Sequence, residues 1–354
     1  MPAAGGASGS MRLGYMGSPA ISARLLHALL ESPHEIAFVV SNPDSSRGRS
    51  SRLQPTEVSA LALDRGLPLF RPTSLKNGAI TPDLAAFNVD LIVVFAYGRL
   101  LPADVFEMPP AGTINLHASI LPLLRGASPI QSAVLEGFSE TGWSIQFIAA
   151  GMDTGDVLSE VRVPVDPDES AGELTERLVP AGLQLMLETL ERIARTLKEG
   201  GDVRRLAATQ DQERATHCRK ITTAMATIDW SRPAQEIHNT VRAFNPKPIA
   251  RTAFVEDGAA LKIHRTRMIS PETLRELTDL TSGNAIPPAE LLSLAPGNLR
   301  AVRFPQGPGL LVTTGDGCLE IRELQPENRK KLTAKDFLNG YRKAGPVLLG
   351  STTT

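Results

Sequence analysis

The run Asp90–Phe95 reads DLIVVF, apolar at every position after the first. A strand facing water on one side alternates polar and apolar residues. A continuous run is buried on both faces, as in a parallel sheet covered by helices. The first 200 residues repeat this theme. Met11–Met16, Ile36–Val40, Thr113–His117, Ser144–Ile148 and Val157–Val163 read as further strands. Pro19 suits the first turn of a helix running to about Glu31. A long helix is expected over Ala171–Lys198, where Leu174, Leu178, Leu183, Leu187 and Leu190 recur near helical spacing. Strands alternating with helices predict an α/β domain with an open, mostly parallel, Rossmann-like sheet and helices on both faces. Ligands of such sheets bind beyond the carboxyl ends of the strands.

After Gly200 the texture changes. The polar stretch Gly201–Ile228 resembles a linker. Short apolar runs follow at Ala253–Glu256, Ala260–His264, Leu310–Thr314 and Leu319–Leu324, separated by turn signals such as Asp257-Gly258 and Gly315-Asp316-Gly317. That pattern predicts a small β-barrel, OB-like, or a sandwich. The expected organisation is an extension over 1–10, a first domain over 11–200, a linker over 201–220 and a barrel domain over 221–354.

Composition narrows the class. The chain has 354 residues, 42% hydrophobic and 21% charged, with no apolar run long enough to span a membrane and no secretory leader pattern. Cys218 and Cys318 form no C-x-x-C pair, and no histidines show ligand spacing, so no metal site is expected. A cytoplasmic protein with reduced thiols is expected. The net charge of −1 conceals two opposed parts: residues 1–203 hold 15 Lys+Arg against 23 Asp+Glu, and residues 204–354 hold 22 against 15. The second part is suited to an anionic partner.

Candidate chemistry follows the strands. Gly14-Tyr15-Met16-Gly17 lacks the full dinucleotide fingerprint, so a glycine serving a tight turn is expected there. Asn115 and His117 lie two apart on one strand and leave the same face at its carboxyl end. A structural histidine remains the alternative. Gly151-Met152-Asp153-Thr154-Gly155-Asp156 follows a strand, and its glycines permit a sharp loop presenting a carboxylate. A plain Asx turn is the alternative. Together the three side chains suit acyl transfer to an amine. An amide and an imidazolium stabilise an oxyanion, and a carboxylate orients the histidine and helps remove a proton.

The run NLHASILPLLRGASPIQ from Asn115 to Gln131, followed by GMDTGD at 151–156, resembles the signature of the folate-dependent formyltransferases. The resemblance implies that Asn115, His117 and Asp153 are catalytic. It implies that 10-formyltetrahydrofolate is the co-substrate, lying along Ser119, Ile120, Leu121 and Pro122 with Phe95, Ala96 and Tyr97 on the neighbouring strand. Asn42-Pro43-Asp44, Gly48-Arg49 and Leu53-Gln54-Pro55 resemble the insertion loop of the branch that formylates initiator methionyl-tRNA. Lys220, Ile228-Asp229-Trp230, Arg242-Ala-Phe-Asn-Pro-Lys-Pro248 and Thr314-Gly-Asp-Gly317 resemble landmarks of that branch's tRNA-holding barrel. The likeness implies tRNA contacts at Arg49, Arg52, Lys220, Arg242 and Lys247, and a monomer. Leu123-Leu124 departs from the family's frequent Arg-Trp, and Thr-Thr-Ala-Met-Ala replaces the usual acidic pair after Lys220. A sibling enzyme formylating an amino sugar nucleotide, a formyl-folate hydrolase and a catalytically inactive tRNA-binding protein are the competing readings.

Overall fold

A computed structural model describes residues 9–46, 52–75, 78–340 and 347–350. Arg49 and most of the expected extension over 1–10 lie outside the described residues. The chain forms two compact units. The first comprises Met1–Pro129, Glu140–Pro164 and Glu176–Cys218; the second comprises Ile130–Ser139, Val165–Thr175 and Arg219–Thr354.

The first unit is built on a seven-stranded sheet. Its strands are β1 (Arg12–Gly17), β2 (Glu35–Val40), β3 (Leu69–Phe70), β4 (Leu91–Phe95), β5 (Thr113–His117), β6 (Glu140–Phe147) and β7 (Val157–Pro164). The order is β7-β6-β5-β4-β1-β2-β3. The β1–β2, β2–β3, β1–β4 and β4–β5 pairs are parallel; β5–β6 and β6–β7 are antiparallel. Every residue of β4 is buried, as its unbroken apolar run requires. On the edge strand β7, burial largely alternates with exposure, as expected where one face meets water. Helix α1 (Ala20–Leu30) buries Ser22, Leu25, Leu26 and Leu29. The Tyr15 hydroxyl donates to the Ser22 carbonyl at 2.7 Å, which satisfies a phenol whose pKa burial raises.

One local expectation changes. Gly14 lies inside β1 rather than in a turn. A Cβ there would stand 2.3 Å from the Phe38 ring, so the glycine makes room for an aromatic neighbour. The long helix α2 (Ala171–Lys198) also needs a glycine, because a Cβ at Gly182 would reach 2.8 Å from the Trp143 indole. That indole donates to the Leu178 carbonyl at 2.8 Å and meets Phe95 edge-on.

The polar stretch over 201–218 belongs to the first unit and is folded there. His217–Cys218 pairs in parallel with Arg125–Gly126, and Val157 bonds to Ala208. Gln210 is buried. Polar composition suggested a linker, but the polar groups find partners inside the unit.

In the second unit, β8 (Ala250–Phe254), β9 (Ala260–Met268), β10 (Asn298–Phe304), β11 (Gly307–Thr313), β12 (Cys318–Pro326) and β13 (Val347–Gly350) run in the order β9-β8-β13-β10-β11-β12. Pairing of β12 back to β9 closes them into a six-stranded antiparallel barrel. Leu261 and Ile263, Leu310 and Val312, and Leu319 and Ile321 lie two apart and share one core with Ile237 and Val241 of α3 (Ala234–Ala243). The Thr314–Gly317 motif has a structural task. Asp316 Oδ1 accepts from the Ala234 amide at 2.7 Å, satisfying a donor at the start of α3. A Cβ at Gly315 would stand 2.0 Å from the Ser231 carbonyl oxygen.

Candidate active site

Asn115 and His117 sit at the carboxyl end of β5, opposite Gln146 and Ser144 of β6. Directly opposed residues of an antiparallel pair project from the same face, so four polar side chains share one patch. Two have structural duties. Ser144 Oγ donates to the Ser119 carbonyl at 2.8 Å and accepts from the Leu121 amide at 3.0 Å, which ties down the loop after β5. Gln146 Nε2 donates to Asp153 Oδ1 at 2.9 Å.

Asp153 arrives from the loop after β6. Its φ is +53°, a left-handed conformation that aspartate tolerates better than most residues. The flanking glycines are needed for another reason. At Gly155 a Cβ would stand 1.8 Å from the Phe147 carbonyl oxygen, and at Gly151 it would stand 2.6 Å from Thr154 Oγ1. Close approach, rather than left-handed freedom, requires glycine at both positions. The carboxylate is held at both oxygens: Oδ2 accepts from the Gly126 amide at 2.8 Å, and Oδ1 accepts from Gln146.

His117 is buried, with Nε2 3.0 Å from the Leu124 carbonyl oxygen. A carbonyl only accepts, so Nε2 carries the hydrogen. Nδ1 then faces Asp153 Oδ1 at 3.6 Å. Both ring nitrogens are therefore directed within the site, and the ring's edge is oriented by the loop that follows β5. Asn115 is different. It is half-buried, and no hydrogen bond to its side-chain amide is found among the described residues. It is the uncommitted donor of the trio.

The remaining expected positions are distributed as follows. Ser119, Ile120 and Leu121 are buried and Pro122 is half-buried; Ser119 Oγ donates to the Leu123 carbonyl at 2.6 Å. Phe95 and Tyr97 are buried, and Ala96 between them is exposed with φ of +50°. The Tyr97 hydroxyl has no partner among the described residues, and desolvation raises its pKa. The Tyr97 carbonyl accepts from Asn42 Nδ2 at 2.8 Å. A cavity of about 400 Å³ opens beside Leu121, Pro122, Ser159, Arg162 and Gln210; Asn115, His117 and Asp153 do not line it.

Of the basic residues, Arg52, Lys220 and Lys247 are exposed. Arg242 is not available to a phosphate and corrects the expectation. It is 6% exposed, with Nε and Nη2 bonded to Asn239 Oδ1 at 3.0 and 2.9 Å and Nη1 bonded to the Asp166 carbonyl at 3.3 Å. It clamps a turn, and desolvation lowers its pKa.

Four residues around Asp153 escaped sequence reasoning: Arg125, Ser144, Gln146 and Gln210. For Ser144 and Gln146 a signal existed. They are polar residues two apart within the apolar run Trp143–Ile148, the same spacing that marked Asn115 and His117. Arg125 and Gln210 lie 85 residues apart and carried no local mark.

The formyl transferase family matches residues 12–190, and its C-terminal domain matches residues 220–342. The chain belongs to the formyl transferase family. Relatives that match over nearly the whole length include methionyl-tRNA formyltransferases. That of Symbiobacterium thermophilum is 38% identical over 330 residues, 93% of this chain and 92% of the relative. That of Desulfotalea psychrophila is 36% identical over 343 residues, 97% of each. Two solved structures share the fold at 16% identity. A sugar 3N-formyl transferase, WlaRD, has a TM-score of 0.56 over 92% of this chain and all of its own length. HypX from Aquifex aeolicus, in complex with tetrahydrofolic acid, has a TM-score of 0.55 over 95% of this chain. The chain spans about half the length of HypX, 50% by coverage.

Proposed function

We propose that the chain transfers the formyl group of 10-formyltetrahydrofolate to the α-amine of initiator methionyl-tRNA. The observation that carries this reading is the trio itself: Asn115 with a free amide, beside an Asp153 carboxylate anchored at both oxygens and a His117 ring aimed at it. The methionyl-tRNA formyltransferases that match at 36–38% identity support the choice of acceptor.

A free α-amine has a pKa of roughly 7.7–8.0, so much of it is protonated at neutral pH and must lose a proton before it attacks. Asp153, directly or through His117, takes that proton. The amine nitrogen then bonds to the formyl carbon, and the carbonyl electron pair moves to oxygen. Asn115 Nδ2 donates to that oxyanion. Collapse of the tetrahedral adduct releases the folate nitrogen, which takes up the second proton shed by the attacking nitrogen, and delivers the formyl group to the amine. His117 reaches the oxyanion only by exchanging one of its present contacts, so Asn115 is the primary donor.

The loop Ser119–Pro122 and the turn Phe95–Tyr97 hold the folate. Arg49, which lies outside the described residues, Arg52, Lys220 and Lys247 contact the tRNA. The protein acts as a monomer in the cytoplasm, and among the described residues no helix is long and apolar enough to cross a membrane.

The deciding experiment supplies 10-formyltetrahydrofolate with charged initiator tRNA, with a UDP-amino sugar, or with no acceptor. Donor consumption dependent on charged tRNA is expected. Consumption with the sugar alone, or without acceptor, overturns the reading.

A further inference from the structure

Arg125 is 3% exposed, and a guanidinium can only donate. Its Nε and Nη2 lie 3.1 and 2.6 Å from Gln210 Oε1, and Nη1 lies 2.9 Å from Gln212 Oε1. The amide of Gln210 is therefore oriented by chemistry: its oxygen faces Arg125 and its nitrogen faces away. That nitrogen donates to the carbonyls of Asp153 at 2.9 Å and Gly155 at 2.7 Å, and lies 3.2 Å from Gln146 Oε1. The Asp153 carboxylate only accepts, so the Gln146 nitrogen faces Oδ1 and its oxygen faces the Gln210 nitrogen, whose two hydrogens are shared among three acceptors. The orientations required at the two ends agree.

We propose that Arg125, Gln210 and Gln146 form a directional amide relay that positions Asp153 for the transfer step. The relay rests on the catalytic reading of Asp153 given above. Arg125 sets the sense of the relay. Gln210 grips the backbone of the Gly151–Asp156 loop at two carbonyls. Gln146 supplies the donor that holds the side chain. Gln146 and Gln210 are positioning residues, acting through Asp153 rather than on the substrate.

The relay depends on the polarity of its links more than on their shape. Glutamate at 146 copies the shape of glutamine but sets a carboxylate oxygen against Asp153 Oδ1. Methionine fills similar space without a polar head. A purely structural role ties the loss of activity in each variant to its loss of melting temperature, because a buried carboxylate is itself costly at this position. The relay predicts a kcat loss of about 10-fold for Gln146→Met and about 10²-fold for Gln146→Glu measured on folded protein, with KM for both substrates within about threefold of the parent.

The test measures kcat and KM separately for the full chain, together with the melting temperature of each variant. Gln210→Glu is the second variant. It keeps an acceptor for Arg125 but turns an oxygen toward the Asp153 and Gly155 carbonyls, and it should also lower kcat with little change in KM. If Gln146→Glu does not fold, Gln210→Glu decides by the same criterion. Parent-like kcat in the deciding variant, a Glu variant at 146 more active than Met, or a loss confined to KM overturns the relay. Asp153→Asn is assayed alongside. If it retains turnover, the catalytic reading fails. If it is inactive while Gln146→Glu matches the parent, the relay alone fails.

Discussion

The carboxyl edge of the sheet and the wall of the barrel treat polar side chains in opposite ways. At the sheet edge, His117, Ser144 and Gln146 are all buried, and each has a specific partner whose donor or acceptor sense is defined. On the barrel, the charged residues mostly face outward and pair loosely: Arg300 with Glu290 at 3.0 Å and Lys331 with Glu323 at 2.9 Å. Exposed pairs of this kind contribute about 0–1 kcal/mol each. A buried donor left without an acceptor costs about 1–3 kcal/mol. The sheet edge should therefore respond to changes of one or two atoms, and the barrel wall should respond to changes of charge.

The strongest challenge to that contrast is at the trio. Asp153→Asn changes one oxygen to an amide group, and Asn115→Ala removes the uncommitted donor. Each should cost about 10²–10³ in kcat, with the melting temperature near that of the parent. Near-normal turnover in either variant would remove the basis for assigning chemistry to this edge.

Glycine substitutions sharpen the contrast next. Gly155→Ala forces a methyl group to 1.8 Å from the Phe147 carbonyl oxygen. Overpacking of this kind costs about 1–3 kcal/mol, and displacement of the Asp153 loop should lower activity as well. In the second unit, a Cβ at Gly317 would lie 3.9 Å from its nearest neighbour, so Gly317→Ala should be close to neutral. Denaturant midpoints and initial rates for the pair would test this. Equal effects would break the distinction.

Arg242 and Lys247 separate the clamp from the proposed phosphate contact. Arg242→Ala should destabilise the protein by about 1–3 kcal/mol, because Asn239 Oδ1 loses its buried guanidinium donor. Lys247→Ala should leave stability unchanged and weaken tRNA binding. It should also reduce the slope of log affinity against log salt by about one. Titrations at several salt concentrations beside melting curves would expose an exchange of these two roles.

The smallest effect concerns pH. Burial lowers the pKa of His238, and desolvation outweighs the opposing pull of Asp168. His34 and His264 are lowered by the same cause. The unfolded chain therefore binds more protons than the folded one as pH falls through about 6.5. Stability is full above that value and declines as pH drops toward the lowered folded pKa. His238 also carries hydrogen bonds from Thr266 and to Pro167, so His238→Asn should be less stable at pH 8 and show a shallower acid decline. Melting curves between pH 8 and pH 5 would reveal a flat or inverted profile.

Much of this molecule was legible along the chain. The apolar run of β4, the i and i+2 pair on β5 and the Gly-flanked Asp153 are local patterns, and local patterns survive reading in one dimension. The barrel was legible in kind, but β10 and β13 were not. In Asn298–Phe304 the adjacent Ala301 and Val302 break the alternation of polar and apolar residues, and Val347–Gly350 is only four residues long. The segment over 201–218 was misjudged because polarity alone does not distinguish a solvated stretch from one whose polar groups meet partners inside the fold.

Sequence by itself determined the mostly parallel sheet and the barrel class, and it put Asn115 and His117 on one strand face, because strand periodicity is a consequence of backbone geometry. Tertiary structure decided the rest. It withdrew Arg242 from the surface, freed Asn115 while committing His117, and joined Arg125 to Gln210 across 85 residues and Gln210 to Gln146 across 64. Hydrogen bonds between distant segments depend on where the whole chain places them, and no local pattern encodes that distance.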